Sequence, residues 1–224
     1  MPHRMRTINF HGVGTPGPSI DPSEAPYWIS ADYFEEITTR IKGSADVGRI
    51  AITFDDGNLS DLEIAAPILK QHGLEARFFV LTGRMDMSGY LGLPEIRDLI
   101  DMGFVIGSHG RDHISWAGLE PDALDRETAG SKRTLEQQLG QPVTEAAIPF
   151  GNYDRKTLAA LRRAGYAAAW TSDGGDMDMT RFLRPRMSVR SDMTIAAVEK
   201  ALFAPIPPLR RARRKLAMAR KRFL

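Results

Sequence analysis

The sequence predicts an α/β fold, an irregular β/α barrel on a mainly parallel sheet. Strand-like and helix-like segments alternate at regular spacing with short connections, the pattern of successive β/α units. Polar residues suited to chemistry follow several different strand-like runs, as at the carboxyl face of a barrel, rather than lining one crevice of an open sheet. With 224 residues the chain can bury one sizeable core. The expected organisation is a single barrel domain over residues 1–204 and a basic tail of helical composition over 205–224.

The first strand is short, Thr7-Ile8-Asn9-Phe10, and runs into His11. GVGTPGPSIDPSEAP, rich in Gly and Pro, has to be loop and is long enough to wall a site. Ser30 or Asp32 starts a helix reaching Ile41, with Phe34, Ile37 and Ile41 on one face. Residues 49–54 form the central strand. A helix over 59–71, stopped by Gly73, and a strand over 76–81 complete a β/α/β unit. Pro94 opens a helix that buries Ile96, Leu99 and Ile100, and the strand at 104–107 delivers Ser108 and His109. A long helix spans 120–139 and a strand spans 144–148. Asp154 caps a helix to Arg163, and residues 166–170 are strand-like again. An extended stretch over 182–189 precedes a last helix, begun by Asp192 or Thr194 and running through Leu202.

The chemistry concentrates at ITFDDG, where the central strand ends in the adjacent carboxylates Asp55 and Asp56. Neighbouring acids repel, and burying them unpaired is costly. A cation would relieve that repulsion. GSHGRDH supplies His109 and His113, and a carboxylate with two imidazoles suits zinc or a related divalent ion. Alone, an Asp-Asp-Gly run is ordinary turn chemistry and two histidines four apart are merely helix neighbours. Together, each after an apolar run, they point to a metal site.

TFDDG, His109-x-x-x-His113 and IPFGNYD, in this order and spacing, resemble the polysaccharide deacetylase family, also called the NodB-homology or carbohydrate esterase family 4 proteins. The resemblance covers about residues 5–190 and extends to FHGVG and YWISADYFEE, as in short bacterial members. It implies a distorted (β/α)7-type barrel carrying a metal-dependent deacetylase site. Asp55 matches the catalytic base, Asp56, His109 and His113 match the metal ligands, and the backbone N–H of Phe150 matches an oxyanion donor.

Two positions depart from the family pattern. An Arg that often braces the catalytic Asp is replaced by Ala147, as in short members with a similar segment, and Arg184 or Arg186 is a candidate to supply the charge. The family's late general-acid His has no counterpart after His113. Of His3, His11 and His72, only His11 stands at a strand end. His11 is therefore either the acid that protonates the leaving amine or a hydrogen-bonded structural residue. His3 is expected in a disordered terminus. Trp116 and Trp170 either floor a sugar groove or pack in the core, and Asp173 and Arg184 are further candidates to meet substrate.

Composition narrows the function classes. There is no cysteine, hence no disulfide and no thiolate ligand. MPHRMRTINF lacks a long apolar segment and no run reaches membrane-spanning length, so a cytoplasmic location is expected. Net charge is +2, but residues 205–224 hold eight of the 30 basic residues and no acid, leaving 22 basic against 28 acidic residues elsewhere. The high pI therefore belongs to the tail, and no nucleic-acid partner is expected. Leu209, Leu216 and Phe223 form an apolar stripe among the tail's cations, suited to an anionic partner or the inner membrane face. The expected activity is removal of an N-acetyl group from a sugar or glycan, a precursor or lipid-linked species of surface polysaccharide synthesis. The competing readings are an amidohydrolase acting on small non-sugar amides and a catalytically impaired carbohydrate-binding domain.

Overall fold

The structure is a computed structural model that describes residues 5–223; His3 lies outside them. The first barrel strand, β1 (Arg6–Phe10), leads to β2 (Gly12–Val13), which pairs in parallel with β3 (Trp28–Ile29) in a small second sheet. Between β2 and β3, the Gly/Pro-rich loop carries a 3₁₀ turn at Pro22–Tyr27, started by the Asp21 carboxylate accepting from the Ser23 N–H. Next come α1 (Ala31–Lys42), capped by Ser30, and β4 (Ile50–Phe54). A π turn at Asp61–Ala65 opens into α2 (Ala66–His72), which ends on left-handed Gly73. β5 (Ala76–Val80), α3 (Leu93–Asp101) and β6 (Val105–Ser108) follow.

The long helix expected over 120–139 is α4 (Pro121–Asp125) and α5 (Ser131–Leu139), joined by a π turn at Arg126–Gly130. β7 (Glu145–Ala147), α6 (Arg155–Arg163), β8 (Ala168–Thr171), β9 (Leu183–Pro185), β10 (Met187–Ser188) and α7 (Ile195–Phe203) complete the barrel. The tail forms a final helix, α8 (Pro208–Phe223). Among the described residues no helix is long and apolar enough to cross a membrane.

Eight parallel strands run in the order β10-β1-β4-β5-β6-β7-β8-β9. β9 pairs with β8 and β10 pairs with β1, and only Arg186 separates β9 from β10. One kinked run of chain thus nearly closes the barrel. Outward residues Ile8, Phe10, Ile52, Phe54, Phe78 and Val80 pack against the helices that bury Phe34, Ile37, Ile41, Leu69, Ile96 and Leu99. Residues of opposite parity face inward, as strand alternation requires. Gly107 is one of them. A side chain there would meet the Phe79 ring at 2.4 Å, so only glycine lets Phe79 fill the interior.

Deeper in the barrel, Glu145 accepts from Arg77 Nε (3.0 Å), Arg184 Nη1 (2.9 Å) and Trp170 Nε1 (2.9 Å). This corrects two expectations. Trp170 is fully buried and cannot floor a sugar groove. Arg184 is spent neutralising Glu145, and its other nitrogen, Nη2, donates to the Met179 carbonyl, so it does not face substrate.

Asp154 caps α6 by accepting from the Thr157 N–H (2.7 Å), and also accepts from the Gly118 N–H (2.9 Å). Partial burial opposes its ionisation, but these donors win and hold its carboxyl below the ordinary range. Asp154→Ala should cost about 1 kcal/mol at neutral pH. Because the folded pKa is depressed, the loss should shrink as pH falls below the unfolded carboxylate range and through the folded value. Urea melts of both proteins at pH 7 and near pH 3 check this.

Candidate metal centre

The site sits where β4 and β6 end. β4 delivers Asp55 and Asp56 to its carboxyl edge, both buried. The chain turns at Asp56 with φ +76°, a left-handed backbone that non-glycine residues adopt only under constraint. His113 (φ +52°) and Phe150 (φ +58°) share this conformation. Three of the four non-glycine residues with positive φ among those described thus surround one point.

Asp56 Oδ1 lies 3.5 Å from His109 Nε2 and 3.3 Å from His113 Nε2. One ligand atom from each of the three residues fits within 4.8 Å of the others. Both oxygens of the buried Asp56 carboxylate lack a hydrogen-bond partner among the described residues. Unpaired burial of an anion is costly. His109 Nδ1 is 2.9 Å from the Ala147 carbonyl oxygen, and donation there leaves Nε2 free as a lone-pair donor. Burial, outweighing the charges of Asp55 and Asp56, lowers the pKa of His109, so its neutral, ligating form is favoured. The donor set fits a divalent cation.

His113 is oriented by residues that motif spacing did not reveal. Glu24, from the 3₁₀ turn, approaches His113 Nδ1 at 3.4 Å and pairs with Arg84 Nη2 at 2.9 Å. Arg84 Nη2 is also 3.3 Å from His113 Nδ1. A guanidinium only donates, so a ligating Nε2 requires Nδ1–H to face Glu24, and the Arg84 approach is a close packing of charges. Burial resists protonation of His113, but Glu24 and then Asp56 outweigh it and raise its pKa. The Phe150 ring, itself 59% exposed, lies against His113 with centroids 4.7 Å apart.

Glu127, buried in the π turn of the long helix, accepts from the backbone N–H groups of Arg111 (2.9 Å) and Asp112 (3.2 Å) and from Trp116 Nε1 (3.3 Å). It fixes the loop between the two histidines. Trp116 is fully buried in this role, which corrects the expectation that it floors a sugar groove. A Glu on the helical face that buries Leu124 and Ser131 was a visible signal; nothing local marked Glu24.

Asp55 is neutralised by protein alone. Arg186 Nη1 reaches its Oδ1 at 2.6 Å and Nη2 reaches its Oδ2 at 2.8 Å, while Asn9 Nδ2 donates to Oδ2 at 3.1 Å. Of the two arginines considered from the sequence, Arg186 is therefore the brace. Burial opposes ionisation of Asp55, but Arg186 overwhelms it and holds the carboxyl far below its ordinary range. The half-buried His11 lies against Tyr27 (centroids 4.7 Å), and its buried Nδ1 has no hydrogen-bond partner among the described residues. Asp173 accepts from Tyr153 Oη (3.0 Å), Thr171 Oγ1 (2.7 Å) and Lys221 Nζ (2.7 Å), so it is committed internally rather than offered to a sugar. Asp61, also buried, has a carboxyl raised well above the ordinary range by burial and then by Asp56 and Asp55.

The family model for polysaccharide deacetylases matches residues 42–169. The Bacillus subtilis (strain 168) protein YxkH is 31% identical over 143 residues, 62% of this chain and 51% of the relative. The peptidoglycan-N-acetylglucosamine deacetylase of Bacillus cereus is 27% identical over 128 residues, 55% of this chain and 44% of that protein. The chain thus spans about half the length of the curated relatives it matches. The Streptococcus pyogenes deacetylase PplD, solved in complex with acetate, superposes with a TM-score of 0.77 at 22% identity, covering 90% of this chain and 99% of that one. At that identity the likeness speaks for the fold.

Removing the orienting carboxylate should weaken the metal site without abolishing it. For Glu24→Ala we expect divalent-metal affinity about 10–100-fold lower in competition with a chromophoric chelator. Unchanged affinity would remove Glu24 from the site.

Proposed function

We propose that this chain, which belongs to the polysaccharide deacetylase family, is a metal-dependent deacetylase that hydrolyses the N-acetyl group of a sugar. One observation carries the reading. Two adjacent buried carboxylates have opposite fates: Asp55 is braced and ionised, while Asp56 is left for a cation beside two imidazoles. A binding-only domain has little use for a pre-ionised base beside a metal ligand.

Asp56, His109 and His113 would hold the ion, and zinc suits two imidazoles and one carboxylate. When bound, it supplies Lewis acidity toward the acetyl carbonyl and lowers the pKa of a coordinated water. Asp55 receives the proton of the attacking water. Three of its roughly four lone-pair positions are taken by Arg186 and Asn9, leaving about one for that proton. Arg186 keeps the base oriented and ionised. The backbone N–H of Phe150, set by the left-handed turn, is assigned to the oxyanion. His11 is assigned to protonate the leaving amine as the C–N bond breaks, giving acetate and a free amino sugar.

The substrate class is an N-acetylated sugar or glycan, and the name of the Bacillus cereus relative, a peptidoglycan-N-acetylglucosamine deacetylase, supports that class. We place it among precursors or lipid-linked glycans of surface polysaccharide synthesis, in the cytoplasm.

Acetate release from a panel of N-acetylated sugars tests the reading. Chelation should abolish it and zinc or cobalt restore it. Asp55→Asn should lower turnover about 10²–10⁴-fold with metal affinity retained, and His11→Ala should lower it within the same range. Release that survives chelation or Asp55→Asn contradicts the mechanism; full activity in His11→Ala removes His11 alone.

A further inference from the structure

The C-terminal helix has two faces with different partners. Its inner face is docked. Arg211 Nε meets Asp176 Oδ2 at 3.0 Å, the Arg214 guanidinium lies against Gly174 and Gly175, and Met218 packs on the cluster containing Leu158, Leu161 and Leu183. Lys221 Nζ donates to the Gly151 carbonyl (3.0 Å) and to Asp173 Oδ1 (2.7 Å). Positions 211, 214, 218 and 221 follow helical spacing and share one side. The sequence predicts a basic segment of helical composition with an apolar stripe; the structure adds the docked face that fixes its orientation.

On the opposite side, Leu209, Leu216 and Phe223 recur every seven residues and are 65%, 73% and 85% exposed. Helical spacing sets the exposed Arg213 and Arg220 beside this stripe. The helix carries eight cations and no acid. Six of them, Arg210, Arg213, Arg214, Lys215, Arg220 and Arg222, have no carboxylate partner among the described residues.

We propose that α8 is a docking face for an anionic lipid surface, on which Leu209, Leu216 and Phe223 enter the headgroup boundary and the cations beside them, Arg213 and Arg220, meet lipid phosphates. Charge complementarity selects this occupant: cations close to an anionic lipid surface are drawn to it. The apolar stripe selects lipid over nucleic acid, since phosphate backbones give Leu216 and Phe223 nothing to enter. Lys221 ties the end of the helix to Gly151, beside Phe150, so a docked chain presents the mouth of the metal site near the interface. That last consequence rests on the deacetylase reading; the binding does not, and it is measured without turnover.

The test is co-sedimentation of the full chain with vesicles of phosphatidylglycerol and phosphatidylcholine, and with phosphatidylcholine alone. We expect binding to the anionic vesicles only, and a bound fraction at least about 10-fold lower for Leu216→Glu/Phe223→Glu at unchanged thermal melting. In Phe223→Trp, indole emission should shift to the blue on adding anionic vesicles, because Trp28, Trp116 and Trp170 are already buried. No binding by the parent chain, equal binding by the double variant, or an unshifted Phe223→Trp spectrum overturns the proposal. Duplex DNA that competes the chain off the vesicles at physiological salt would overturn the choice of lipid.

Discussion

Two neighbouring carboxylates, both buried, govern this molecule. Asp55 and Asp56 repel each other at the end of β4, away from the water that would normally screen them. The chain resolves the conflict asymmetrically. Asp55 receives a full guanidinium fork and an amide donor, which compensates its charge within the protein. Asp56 receives no hydrogen bond from the described residues and is turned by a left-handed backbone toward two imidazoles. Compensated and uncompensated, the same side chain is an ion-pair partner of Arg186 in one position and a member of the metal-binding cluster in the next.

Much of the surrounding structure maintains that asymmetry. The barrel nearly closes through one run of chain that leaves β8 and joins β1, and Arg186 stands at its kink, where the guanidinium can turn inward to Asp55. Asn9 and Thr53 line the path: Asn9 Oδ1 accepts from both Arg186 Nη1 (2.8 Å) and Thr53 Oγ1 (2.6 Å). Across the mouth, Glu24 and Arg84 hold His113, while Glu127 holds the loop on which both histidines ride. The ligands come from two strand ends, but their orientation comes from a loop and a helix far away in sequence.

The fold was legible because parallel strands buried on both faces and amphipathic helices leave strong periodic signals. Asp154 announced a helix start that the structure keeps, and of the alternatives Ser30 or Asp32 and Asp192 or Thr194 the structure makes Ser30 and Thr194 the caps. TFDDG and His109-x-x-x-His113 were equally visible, since ligands on one turn or one strand end must sit at fixed spacing. Contacts that join distant segments were not. Glu24 lies 89 residues from the imidazole it orients and looked like any acid in a polar loop. Arg184 and Arg186 are two apart and both point inward, so periodicity could not decide which meets Asp55; the depth at which each enters the barrel did. Trp116 and Trp170 were ambiguous because a flat ring suits a sugar or a core, and their Nε1 partners, Glu127 and Glu145, put both in the core.

Asp56 is left uncompensated by the described residues, and a cation would complete it. Anomalous diffraction at the zinc edge from zinc-soaked crystals measures this directly. We expect one strong peak within bonding distance of Asp56, His109 Nε2 and His113 Nε2, about 2.0–2.2 Å from each, with Asp55 still paired to Arg186. No peak there at saturating zinc, or an ion gripped by Asp55 with Arg186 displaced, contradicts it.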